Sequence, residues 1–216
     1  MKKKLIKFLE IDEIKRLQEP LVERAKEAVI KEQKNVKDIT AIRDFVVINL
    51  VYSCALRISE ACNLRLDDLD FNHSKIYIFN AKGGDRIVPL PQVTINNLKM
   101  WLQVRPDWKE NRYVFTHIKG TTRPGKEKPL QRKYFNDLIT ELSNKTGIKL
   151  KDGKNPSPHV LRHSRAMEIY DNGINLEVLQ KLLGHKKIDT TQIYAEVRDE
   201  RVAEVQENIT AGIISL

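Results

Sequence analysis

Two histidines and an arginine in the stretch NPSPHVLRHSRAMEIY, Asn155 to Tyr170, are the residues best suited by type and spacing to do chemistry. Ser157 favours the position that caps a helix and Pro158 the first position inside it. His159, Arg162 and His163 then fall at i, i+3 and i+4 on one face. Histidines at i and i+4 are spaced for a helical zinc site, but the metalloprotease version needs a glutamate directly after the first histidine, and Val160 stands there. Arg162 weighs further against a cation. A fixed guanidinium repels a divalent metal, whereas beside a phosphate it makes a forked, charge-assisted pair. The start of the helix adds unpaired N–H groups and the positive end of a dipole. The trio therefore reads as an anion site with no metal and no cofactor. Two other readings stay open at this point: a core histidine pair beside a surface arginine, and a His-pair metalloenzyme.

Bulk charge indicates which anion. Thirty-eight lysines and arginines against 29 acidic residues give a net charge of +9, a balance that suits a polyanion, nucleic acid before an acidic membrane surface. A chain of 216 residues with 41% hydrophobic content can bury one substantial core, so a single domain over residues 1–216 is expected. Cys54 and Cys62 are too few for a disulfide framework and lack paired metal-ligand spacing, which points to a reducing cytoplasm. The start MKKKLIKFLEIDE is basic, but Glu10, Asp12 and Glu13 cut its apolar part short, so it does not read as a signal peptide. The most apolar stretch, DFVVINLVYSCAL, is too short for a membrane span and reads as a buried helix.

The elements that must position the trio are mostly helical. IDEIKRLQEPLVERAKEAV has helical periodicity with Pro20 as its expected break or restart, and Asp38 or Thr40 is expected to cap the apolar helix that runs to about Leu56. A short helix from Ser59 follows. KIYIF and RIVPL are then two β-runs joined by NAKGGD, where Gly83 and Gly84 supply the turn of a hairpin with Lys82 at its bend. Helices are expected near residues 93–104, 130–144, 158–172 and 175–183, the last stopped by Gly184. Asp189 can cap one more, carrying Tyr194. KGTTRPGKEK and KDGKNPS read as polar loops. The expected fold class is mainly α with a small antiparallel β-sheet, an α+β arrangement.

Three further stretches hold residues that could converge on the same phosphate: CALRISEACNLRLDDLD, NAKGGDRIVPLP and LLGHKKIDTTQIYAEV. Their order around the His-x-x-Arg helix resembles the catalytic domain of the tyrosine recombinases, or phage-type integrases. In that family an arginine opens a helix before an acidic residue, as Arg57 precedes Glu60, and a lysine sits in a hairpin turn, as Lys82 does. A His-x-x-Arg begins a later helix, matching His159 and Arg162. A Gly-His pair ends the next, matching Gly184 and His185, and a tyrosine follows, matching Tyr194. The resemblance runs from about Phe8 to Val197. Any one of these motifs is weak, but six residues in order are strong. Ala55 departs from the glycine common before Leu-Arg, and Arg165 from a frequent aromatic.

The resemblance implies a site-specific recombinase that cleaves and rejoins DNA strands through a covalent 3′-phosphotyrosyl intermediate, with neither ATP nor metal. Tyr194 is then the nucleophile, with Tyr170 as its rival on the His163 helix; Tyr170, like Tyr52 and Tyr77, is better read as core. His159 is the candidate base. Arg57 and Arg162 clamp the non-bridging oxygens, Lys82 protonates the leaving 5′ oxygen, and His185 hydrogen-bonds the phosphate. Glu60 and His163 are supporting residues, His163 by orienting Arg162 or His159. The implied partner is double-stranded DNA, gripped by a homo-oligomer that is a tetramer on DNA, at the nucleoid.

Family members usually carry a helical core-binding domain ahead of the catalytic one. Here catalytic-type sequence begins near FLEIDEIKRL, so that domain is expected to be absent from residues 1–216, and a separate core-binding domain or accessory protein becomes an expected partner. The tail at 196–216 is amphipathic through Val197, Val202, Val205 and Ile209, and by resemblance it docks on a neighbouring protomer. A type IB topoisomerase-like nicking-closing enzyme and a non-catalytic DNA-binding regulator are the alternatives.

Overall fold

A helix that is apolar on every side is stable only at the centre of a fold. The later part of α2 (Val36–Ser53) approaches this, with Val46, Val47, Ile48, Leu50 and Val51 all buried after Ile42 and the buried ion pair of Arg43 with Asp44. Around it pack α1 (Ile11–Val29), the short α3 (Ile58–Asn63), α4 (Gln92–Val104) and α6 (Pro158–Asp171). Helix α5 (Arg132–Thr146) lies against α1, α3 and α6, while α7 (Leu176–Leu183) lies against α6. The structure, a computed structural model, describes residues 7–79, 84–106, 112–118, 129–185 and 191–199, the last stretch helical and carrying Tyr194. Among the described residues, no helix is long and apolar enough to cross a membrane.

Three antiparallel strands complete the fold in the order β1 (Leu69–Asp70), β2 (Lys75–Ile78), β3 (Arg86–Pro89). The register pairs Ile76 with Val88, Tyr77 with Ile87 and Ile78 with Arg86. Ile76, Ile78 and Val88 are buried while Ile87 is exposed, so the period of two along each strand sorts the faces. Strand β3 contacts α7, whose Leu179 and Leu183 belong to the molecule's second apolar cluster. The bend that holds Lys82, the KGTTRPGKEK loop, the Asp189 cap and the tail beyond residue 199 lie outside the described residues.

Several local expectations are corrected. Pro20 neither breaks nor restarts α1; it lies buried inside a continuous helix. Proline in a helix interior costs about 3 kcal/mol, and Ile14 and Leu17 on one side of it and Leu21, Ala25 and Ala28 on the other bury enough surface to offset that. The cap of α2 is Asn35, not Asp38 or Thr40. Its side chain accepts from the N–H groups of Lys37 at 2.8 Å and Asp38 at 3.1 Å, and Asp38 accepts from the Asn35 N–H at 3.0 Å. Asp38 is thus the third helical residue of a reciprocal box. Ser157 does occupy the cap position before Pro158, but its side chain makes no capping hydrogen bond.

Helix α2 stops at Ser53 rather than near Leu56 because Ala55 turns left-handed at φ 48°. The Leu56 N–H then reaches back to the Val51 carbonyl at 3.1 Å. Only glycine adopts that conformation without cost, which accounts physically for the glycine common at this position. The same turn aims the Ala55 carbonyl at Arg162.

Candidate active site

Glu60 is the centre of the site. It stands at the third position of α3, where its carboxylate accepts the backbone N–H of Arg57 at 2.8 Å and caps the helix. Its Oε1 also accepts from the Arg57 guanidinium at 2.7 Å and from Arg86 at 2.9 Å, and its Oε2 from Arg86 at 2.7 Å. A third guanidinium, Arg162, lies 3.7 Å from Oε2. Burial by itself would raise the Glu60 carboxyl, but the hydrogen bonds and charge of Arg86, joined by the hydrogen bonds of Arg57, outweigh it and hold the group down at about 2.

The same three arginines meet the C-terminal end of α7. Arg86 donates through Nε to the Leu182 carbonyl at 2.9 Å, Arg162 donates to the Leu183 carbonyl, and Arg57 donates to the Gly184 carbonyl at 3.3 Å. Three consecutive carbonyls, which a helix end leaves without intrahelical partners, are each taken by a different guanidinium. Gly184 makes this possible. It turns at φ 63°, and a Cβ there would come within 3.0 Å of the Arg86 Cδ. Arg162 also donates to Ala55 at 2.8 Å and is only 2% exposed. Burial, then the charge of Arg57, lowers it to about 10, which leaves it cationic at neutral pH.

The histidines sit beside this cluster. His185 follows Gly184, its Nε2 3.5 Å from Arg162 and its Nδ1 3.1 Å from the buried Thr191 hydroxyl; Gln180 holds its carbonyl at 3.0 Å. His163 Nδ1 lies 2.8 Å from the Tyr194 hydroxyl, and the exposed His159 ring stacks on His163 with centroids 6.1 Å apart. Tyr194 is fully buried in a cluster with Ala166, Met167, Leu179 and Leu183. Burial pushes its phenol up to about 12 against the pull of Arg162 and Arg57. Burial likewise lowers His163 and His185, each to about 4, with the neighbouring His159 and Arg162 adding to the shift in the first and Arg162 and Arg57 in the second. His159 is lowered as well, by burial and then Arg162. In all three rings these surroundings disfavour the charged form.

The depressed histidines make stability depend on pH. Between 6.5 and about 4 the unfolded chain holds protons that His163 and His185 refuse in the folded state. Unfolding therefore takes up about two protons across this window, and stability falls as pH is lowered through it. Urea midpoints at pH 7.5, 6 and 5 should decline in that order, and His185→Asn should flatten the slope. A slope unchanged by that substitution would contradict the assignment.

With this geometry in hand, comparison with known proteins is informative. Residues 15–201 match the model of the phage integrase family. The chain belongs to the phage integrase family. Among other phage integrases and their relatives, it is 34% identical to the tyrosine recombinase XerA of Pyrococcus furiosus over 202 residues, 91% of this chain and 66% of that protein. It superposes on the crystal structure of a XerA recombinase with a TM-score of 0.70 at 27% identity, covering 95% of this chain and 65% of the other. The XerH site-specific recombinase, solved bound to palindromic difH substrate in a post-cleavage complex, gives 0.71 at 23% identity over 94% and 53% of the two chains, and shares the fold. This integrase chain thus spans about two thirds, or less, of the length of these three relatives.

The structure brings Arg57, Glu60, Arg162, His185, His163, Tyr194 and His159 to one end of α6 and α7, as the order of motifs suggested; Lys82 falls outside the described residues. Of the two partners expected for it, His163 meets His159 by ring stacking, while its Nδ1 is taken by the Tyr194 hydroxyl. Tyr170 is half-buried with the Arg198 guanidinium 5.2 Å over its ring. Tyr52 is likewise half-buried at the core margin, donating to Glu168 at 2.8 Å, whereas Tyr77, expected in the core, lies on the outward face of β2 beside the exposed Phe79 ring at 6.2 Å between centroids. Arg165, standing where an aromatic is frequent, pairs with Glu168 at 2.7 Å and covers the Tyr52 ring instead. Sequence reasoning passed over Arg86 and Thr191. Arg86 had a signal: it shares the inward phase of its strand with Val88, and a cation on that phase needs a buried carboxylate.

Proposed function

We propose that this chain is the catalytic part of a site-specific tyrosine recombinase that cleaves and rejoins double-stranded DNA. The observation that carries the reading is the gathering of three guanidiniums around one carboxylate, next to a tyrosine whose hydroxyl is already held by a histidine. In cleavage, the Tyr194 oxygen attacks the phosphorus and the bond to the 5′ oxygen breaks, leaving a 3′-phosphotyrosyl ester. The phenolic proton passes to a histidine, His163 by contact or His159 by family position, and Lys82 supplies a proton to the departing oxygen. Negative charge grows on the non-bridging oxygens as this happens. Arg57, whose side chain is 18% exposed, and the exposed His159 meet the phosphate directly, with Arg162 and His185 behind them. Because Tyr194 is fully buried, helical residues 191–199 shift outward for its hydroxyl to reach a phosphate.

The partners that follow are duplex DNA, further copies of this chain assembled on it, and a core-binding domain or accessory protein that completes the grip. The basic balance of the chain, +9, supports a polyanion. The test is incubation with a pool of nicked duplexes of randomised sequence at saturating protein, followed by a denaturing gel. A covalent protein–DNA adduct is expected with and without EDTA, because the cationic side chains supply the charge that a metal supplies elsewhere. No adduct from any duplex, or one that forms only with added magnesium, would overturn the reading.

A further inference from the structure

Arg86 is the one guanidinium of the cluster to which the proposed chemistry gives no task. Its side chain is 6% exposed, less than that of Arg57 at 18%, so a phosphate arriving from solvent meets Arg57 first. Yet all three nitrogens of the Arg86 guanidinium are hydrogen-bonded. Both terminal nitrogens engage both oxygens of Glu60, and its Nε reaches the Leu182 carbonyl. Those contacts join three segments far apart in sequence: the hairpin strand that follows Lys82, the helix that Arg57 opens, and the helix end that presents His185. Gly184 leaves room along Arg86, since a Cβ there would crowd its Cδ at 3.0 Å and Nη1 at 3.2 Å.

The sharing of Glu60 gives the arrangement its consequence. Arg86 takes both carboxylate oxygens in a fork, and the Arg57 guanidinium takes only Oε1. A carboxylate without that fork would draw Arg57 fully onto itself, and Arg162 would close from its present 3.7 Å. The two would then face Glu60 in place of a ligand. Loss of the tie to Leu182 would at the same time free the end of α7 that places His185.

We propose that Arg86 is a positioning residue for strand cleavage: by forking onto Glu60 and tethering the Leu182 carbonyl, it keeps Arg57, Arg162 and His185 turned toward one phosphate. This rests on the reading of Tyr194 as nucleophile. Lysine cannot replace it, since one ammonium cannot span two carboxylate oxygens and a carbonyl in that planar geometry.

The test compares the wild-type protein, Arg86→Met and Arg86→Lys by two readouts: adduct formation under single turnover at saturating nicked DNA, and DNA affinity by fluorescence anisotropy. Arg86→Met should lower the saturated rate by about 100-fold, the scale of losing a preorganised charge contact, with affinity within about threefold of wild type. Arg86→Lys should recover about tenfold of that loss. A folded Met variant that cleaves at the wild-type saturated rate overturns the proposal, as does a loss that appears only in affinity. Where the Met variant does not fold, the Lys variant decides, and a wild-type rate there is fatal. An unreactive wild-type protein instead sinks the parent reading, and the role of Arg86 with it.

Discussion

Tyr194→Phe yields no covalent adduct on any nicked duplex, while the protein stays folded and its affinity for DNA stays within about threefold of wild type. The substitution removes one oxygen and keeps the ring that fills the cluster with Ala166, Met167, Leu179 and Leu183. The fold loses a single hydrogen bond, between the Tyr194 hydroxyl and His163 Nδ1, worth about 1 kcal/mol. By the proposed chemistry, cleavage loses its nucleophile. Tyr170→Phe serves as the comparison, since Tyr170 lies on the same helix as Arg162 and is half-buried under Arg198. An adduct that persists in Tyr194→Phe and vanishes in Tyr170→Phe would transfer the role to Tyr170.

Glu60→Ala should be the most destabilising single change at the site, by about 3–5 kcal/mol, the cost of stripping the partner from buried cations. Arg86 loses both of its carboxylate bonds, Arg57 loses one from its guanidinium and one from its backbone N–H, and the nearby charge that offsets Arg162 disappears. For a chain of this length that is a fall in melting temperature of roughly 6–20 °C. Glu60→Gln should cost markedly less, since the amide oxygen still accepts from one arginine. A thermal scan in which the alanine variant melts within a degree or two of wild type would mean that water or the carbonyls of α7 satisfy these arginines without Glu60.

What was legible in the sequence was local. The apolar run within α2, the Ser157-Pro158 start of α6, the stop at Gly184 and the alternation of KIYIF and RIVPL each follow from neighbours within a few residues. The local cues failed where two residues competed for one job or where packing overrode propensity. Asn35 and Asp38 both cap well, and only the start of the coil decides between them; Pro20 is carried through α1 by burial on both sides. Strand β1 has two residues, too few to display a period. In the site, motif order assembled the right helix ends but not the bonds between them. The pairing of His163 with Tyr194 spans 31 positions, and that of Arg86 with Leu182 spans 96. Neither leaves a periodic trace in the chain.

The three carbonyls at the end of α7 set a charge balance. Arg57, Arg86 and Arg162 bring three positive charges and Glu60 one negative, to which a helix C-terminus adds up to about −0.5. The helix end lets the guanidiniums crowd together without a second carboxylate, and the surplus left is about +1.5. A phosphodiester carries one negative charge, and a five-coordinate phosphorus on the way to cleavage carries about two. In the proposed reaction a surplus larger than the single charge of the bound phosphodiester leaves net attraction for the negative charge that develops on the way to cleavage, which favours the second state over the first.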